Sequence, residues 1–141
     1  ENAALIPPTG AFNIVGNNLP KAPKWQFRLG LQYEHELSNG GTITARGDWS
    51  YQDDIFFNQF NDTGFEGLPV EPLEQDGYHW LKARIIYDDP SDSWTVSAFI
   101  DNITDEEVIT NAVYNGAVSG QFGLGSLAPP RTYGAEITKR F

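Results

Sequence analysis

The chain has 141 residues, enough for one ordinary domain, and its formal net charge of −10 excludes a surface that neutralises nucleic-acid phosphates. It contains no cysteine, which excludes disulfides and thiolate metal sites, while 40% hydrophobic and 20% charged residues exclude a disordered tail. No stretch approaches the ~20 apolar residues of a membrane helix, a criterion blind to membrane β-barrels. Methionine is also absent, and the opening "ENAALIPPTG" has neither the charged start nor the apolar run of a signal peptide. The chain is therefore expected to be a processed or excised piece of something longer.

Alternation with a period of two predicts five strands, near residues 24–37, 42–52, 77–88, 93–102 and 131–141. In "KWQFRLGLQYEHEL", Trp25, Phe27, Leu29, Leu31, Tyr33 and Leu37 share one face and Gln26, Arg28, Gln32, Glu34 and Glu36 the other. In "TITARGDWSYQ", Ile43, Ala45, Gly47, Trp49 and Tyr51 oppose a polar set. "YHWLKARIIYD" and "SWTVSAFIDN" repeat the pattern, with Trp80, Ile86 and Phe99 as exceptions on the polar side. Tyr133, Ala135, Ile137 and Phe141 close the series opposite Thr132, Glu136, Thr138 and Arg140. No segment has a helical period, so the expected class is all-β.

The connections alternate in length. Residues 38–41 ("SNGG") and 89–92 ("DPSD") have hairpin-turn chemistry, whereas 53–76 and 103–130 are long. Short turns at one end and long loops at the other is the layout of an antiparallel up-and-down transmembrane barrel, with the turns periplasmic and the loops extracellular. Aromatic residues mark two belts on the apolar face: Trp25, Trp49, Tyr51 and Tyr133 toward the loops, and Tyr33, Tyr87, Trp94 and Phe141 toward the turns. Eight steps separate Trp25 from Tyr33, about 26 Å along a strand and about 20 Å after a ~40° tilt, near the ~25 Å apolar band of such barrels. Lys139 is the one charge on the apolar face of the last strand, placed where it can snorkel to the inner boundary. The smallest membrane barrels need ~8 strands, so these five are expected to be a sector of a larger one. A soluble β-sandwich or small barrel, with the same face as core, is the competing architecture.

Five stretches in order carry a resemblance: "NNLPKAPKWQFRLGLQY", "ARGDWSYQDDIFFNQFND", "YHWLKARIIY", "WTVSAFIDNITDEEVIT" and "APPRTYGAEITKRF". Together they resemble the carboxyl-terminal part of TonB-dependent outer-membrane receptors, which import scarce nutrients such as iron-siderophore complexes. The resemblance implies the last strands of a barrel of about 22 around a plug domain, energised by TonB through that plug. It implies as partners the remaining barrel strands and plug, outer-membrane lipid, the TonB system and the barrel-assembly machinery, with no enzymatic activity and no cofactor. It implies further that Tyr133, Ile137 and Phe141 are the signal read during barrel assembly. A passive pore and a soluble β-rich binding module are the alternatives.

Other signals are weaker. "DNITDEE" gathers Asp101, Asp105, Glu106 and Glu107 but lacks the ligand alternation and central glycine of a calcium loop, so a solvated strand exit is expected. Asn61-Asp62-Thr63 and Asn102-Ile103-Thr104 fit glycosylation triplets, which a bacterial barrel would not use. "GQFGLGS" does not open a helix after a strand, and His35 and His79 have no catalytic or metal-ligand spacing. Phe56, Phe57, Phe60, Tyr114 and Phe122 lie in the long loops as candidates for ligand capture, or else continue the outer aromatic belt or pack loop against loop. Arg28, Arg46, Arg84 and Arg140 on the polar faces are expected to bond the plug and neighbouring strands.

Overall fold

The computed structural model describes residues 14–61, 73–115 and 122–141. Among the described residues nine strands form: β1 (Gln26–Glu36), β2 (Thr42–Gln52), β3 (Ile55–Phe56), β4 (Glu74–Gln75), β5 (Tyr78–Asp88), β6 (Trp94–Asp101), β7 (Ile109–Asn115), β8 (Phe122–Leu127) and β9 (Thr132–Lys139). The described residues contain no helix. The long strands make one antiparallel sheet in the order β1-β2-β5-β6-β9, while β3 pairs with β4 and β7 with β8 in two separate hairpin-like sheets. By internal contacts the chain divides into a sheet unit, Trp25–Gln52, Tyr78–Glu107 and Pro129–Phe141, and a connection unit comprising the remainder.

Register explains why the sheet is two-sided. Tyr33 pairs with Ala45, Ala45 with Ile85, Ile85 with Ala98 and Ala98 with Ala135, so one apolar row crosses all five strands. Neighbouring rows on the same face run Leu29, Trp49 and Leu81, and Ile43, Tyr87, Val96 and Ile137. Because side chains alternate faces with a period of two, a slip of one residue would invert a strand's whole apolar set, and no long strand is slipped. The opposite face carries Gln32, Arg46 and Arg84, then Glu34 and Thr44, in equivalent rows.

Turn chemistry sets that register. Gly40 has φ +86°, and its N–H donates to Leu37 O at 2.8 Å while Leu37 N–H donates to Gly41 O at 2.7 Å. That left-handed position is the one glycine occupies without strain. In the other turn Asp92 has φ +54° and donates to Asp89 O at 3.0 Å, and the Asp89 carboxylate accepts from Ser91 N–H and Oγ. This is a side-chain-built turn of the kind aspartate favours.

No core lies under the apolar face. Leu31 is 76% exposed, Leu29 65%, Ile85 51% and Phe27 49%. The buried hydrophobic residues among those described are Phe57, Val108 and Ala112, all in the connection unit. A soluble sandwich needs Phe27, Ile43, Ile85 and Val96 to converge on a dry centre; Phe27, Ile85 and Val96 are exposed and Ile43 is half-buried. The centre of the face is shallow, because Ala45, Gly47, Ala83 and Ala98 lie among the larger Leu31, Tyr33, Ile85 and Ile100.

Candidate functional site

Rings concentrate at the strand ends on the apolar face. At the end from which the long connections leave, Trp25 stacks on Phe27 with centroids 6.0 Å apart, Phe27 on Tyr51 at 6.2 Å, and Tyr51 lies 5.0 Å from His79. Trp49 completes the group, stacking on His79 at 5.8 Å and donating its indole N–H to His79 Nδ1 at 3.2 Å. An indole nitrogen can only donate, so His79 Nδ1 is the acceptor of this bond. At the turn end, Tyr33 stacks on His35 at 6.4 Å, Tyr87 is half-buried, and Trp94 and Tyr33 are exposed. Both histidines sit in ring clusters, and among the described residues no group of three or more His, Cys, Asp or Glu could hold a metal ion.

The polar face is a ladder of paired charges. The Arg46 guanidinium makes two 2.8 Å bonds to Asp48 on the same strand. Asp48 stands opposite Lys82, which binds Asp101 at 2.8 Å, and Asp101 also accepts from Trp80 Nε1 at 2.6 Å. Arg84 lies over the Phe99 ring, 5.5 Å from its centroid. Trp80 and Phe99, two of the three exceptions to the alternation, therefore have polar or cationic partners on that face. With both members of each pair substantially exposed, such bridges add little stability and serve mainly to orient the side chains.

Where the chain leaves β6, Asn102 is fully buried at 0% exposure in a left-handed conformation, φ +54°. Its amide donates to Glu106 O at 2.9 Å and Pro129 O at 3.4 Å, and its side-chain oxygen accepts from Glu106 N–H at 2.8 Å. Asp105 accepts from Arg131 N–H at 2.9 Å and pairs with the Arg131 guanidinium at 3.5 Å. The acidic "DNITDEE" is thus a clasp joining the exit of β6 to the approach to β9. Its asparagine is sealed inside rather than presented for modification. The sequence flagged both features without revealing the clasp, which needs Pro129 and Arg131 brought back beside Asn102.

In the connection unit the ring-bearing candidates separate. Phe57 is 8% exposed, its N–H bonded to Leu73 O at 2.8 Å and its ring 6.0 Å from the Lys21 ammonium. Phe56 and Phe60 are half-buried. Gln75 Oε1 accepts from Ile109 N–H at 2.6 Å, and Lys21 Nζ donates to Asn111 Oδ1 at 2.8 Å, so the three chain segments of this unit are tied together by polar side chains. Tyr114 and Phe122 lie at the tip of the β7–β8 pair by backbone register, and their side chains fall outside the described residues.

The model of the TonB dependent receptor-like β-barrel family matches residues 4–103. The chain belongs to that family. Among curated proteins and among solved structures nothing matches it. The matched stretch runs from before β1 to just beyond β6 and leaves β7, β8 and β9 outside it. The family consists of bacterial outer-membrane receptors and transporters rather than enzymes. For a TonB-dependent receptor barrel, an apolar face without a core beneath it is a wall, and an unclosed sheet of five strands is a sector of that wall. Tyr133 at 79%, Ile137 and Phe141 are exposed on the same wall.

Proposed function

We propose that the chain supplies wall and two outer loops to a receptor that imports a scarce nutrient, such as an iron-siderophore complex, with energy delivered by TonB through a plug domain. The supporting observation is the exposed apolar face, bracketed at both strand ends by rings, in a chain of this receptor family. On this reading the face meets outer-membrane lipid, and the charged ladder from Arg46 to Asp101 faces a plug enclosed by the remaining strands. The connections containing β3, β4, β7 and β8 are extracellular, and the turns at Gly40 and Asp92 are periplasmic. Phe56, Phe60, Tyr114 and Phe122 are the candidates for ligand contact, whereas Phe57 supports the loop from within. Tyr133, Ile137 and Phe141 serve the barrel-assembly machinery.

Uptake of radiolabelled iron chelates by cells carrying the full-length receptor tests the activity. Accumulation abolished by a protonophore is the expected result; entry that persists without energy would make the barrel a passive pore. The absence of cysteine from this chain allows orientation to be tested by single replacements. Asp54→Cys should react with an impermeant maleimide on intact cells, and Ser91→Cys only after the outer membrane is opened.

A further inference from the structure

We infer that Lys139, bracketed by Trp94 and Phe141, is a docking point for the phosphate of an anionic phospholipid in the turn-end leaflet, the periplasmic leaflet in the orientation proposed above. The inference rests on the reading of the apolar face as lipid-facing.

One charge is out of place on the apolar face of β9. Register puts Lys139 opposite Trp94, one step beyond the Val96–Ile137 pair on the face that is otherwise apolar. Its ammonium sits 4.9 Å from the Trp94 ring centroid and 4.9 Å from that of Phe141. Two rings attract the charge, but neither offers an oxygen acceptor, so the three N–H donors of the ammonium are left to a ligand or solvent.

Acids are abundant, with Asp+Glu 19 against Lys+Arg 9. Even so, the ion pairs among the described residues are Arg46–Asp48, Lys82–Asp101 and Arg131–Asp105, and none involves Lys139. A compact, flexibly tethered point charge at the boundary of a hydrocarbon layer, exposed and in none of those ion pairs, complements a headgroup phosphate. Snorkelling toward water would account for the position alone. The two rings restrict the ammonium to one place on the wall, and that makes a headgroup site.

The test uses the full-length receptor in nanodiscs of equal phosphatidylglycerol and phosphatidylcholine, with retained lipid read by native mass spectrometry. The expected result is enrichment of phosphatidylglycerol, reduced about fivefold by Lys139→Gln, equivalent to ~1 kcal/mol for one surface lysine, and kept by Lys139→Arg. Equal enrichment in wild type and Lys139→Gln would overturn the inference, as would carbodiimide coupling of Lys139 to a carboxylate elsewhere in the receptor. A nitroxide on Ile137→Cys separates the two levels of the argument. Relaxation by oxygen but not by a water-soluble nickel chelate, without headgroup preference, overturns the docking point alone. Relaxation by the nickel chelate overturns the lipid-facing wall as well.

Discussion

Replacing Leu29 by arginine isolates the physical claim that the apolar face looks into hydrocarbon. Leu29 lies midway between Trp25 and Tyr33 on β1, pairs with Trp49 and is 65% exposed in this chain. If the face were in water, the substitution would remove little packing and cost within about 0.5 kcal/mol. If the face lies against lipid at mid-depth, an arginine there costs about 2–4 kcal/mol, a shift of roughly 30- to 900-fold in the folding equilibrium. Glu34→Arg provides the control, because Glu34 is on the same strand but faces Thr44 on the polar side. Refolding of the full-length receptor into vesicles across a urea series, followed by heat-modifiable gel mobility, measures both variants. The reasoning fails if Leu29→Arg folds within 0.5 kcal/mol of wild type, or if Glu34→Arg costs as much.

Further consequences concern particular contacts. Gly134→Ala would place a Cβ 2.9 Å from the Phe99 ring, costing about 1–3 kcal/mol, and Phe99→Leu in the same chain should recover most of it in a double-mutant cycle of urea midpoints. Asn102→Ala leaves the Glu106 N–H without its side-chain acceptor and replaces a residue that tolerates φ +54° by one that does not, for about 2–4 kcal/mol. Asn102→Gly should restore only the backbone share, and proteolysis of the segment after β6 reports the difference. The Asp89 carboxyl is held below its ordinary range by the Ser91 hydroxyl first and then by the Trp94 N–H. A depressed carboxylate adds stability above its unfolded pKa of about 3.9, and that stability is lost as pH falls through the lower folded value. Hydrogen exchange at Trp94 should therefore be flat from neutral pH to about 4, after correction for intrinsic rates, and accelerate below it.

The long strands were legible because two independent regularities coincide in them: period-two alternation and turn residues at their ends. Gly40 is a turn signal that any reading finds, and its φ of +86° is what the residue type permits. The strands inside the connections were not legible, for two different physical reasons. β7 carries a register shift between Ile109 and Asn111, which breaks the alternation, and β8 spends Gly123 and Gly125 where a pattern needs side chains. The two-residue pieces β3 and β4 are too short to have a period at all. Their existence depends on partners, since Gln75 bonds Ile109 far along the chain, and such a bond has no local sequence signature. That rings lie near the strand ends was readable by position, but the Trp49–His79 bond and the clasp around Asn102 required knowing which groups meet.

The same ring type carries different physics on the two faces, which is why counting aromatics could not assign them. On the polar face a ring is placed by one specific partner: Trp80 by the Asp101 oxygen its N–H reaches, Phe99 by the bare backbone of Gly134 that it covers. Removing the partner removes the reason for the ring. On the apolar face the rings lie near the strand ends, and their contacts are mostly with one another, from Trp25 through Phe27 and Tyr51 to His79. An amphipathic ring at a hydrocarbon boundary is stabilised by the boundary itself, so its neighbours are interchangeable in a way that Asp101 is not. Lys139 joins the two cases: it takes its depth from the wall and its direction from Trp94 and Phe141. On the docking proposal its counter-charge comes from lipid headgroups, which would tie the geometry of the turn end to the chemistry of the membrane around it.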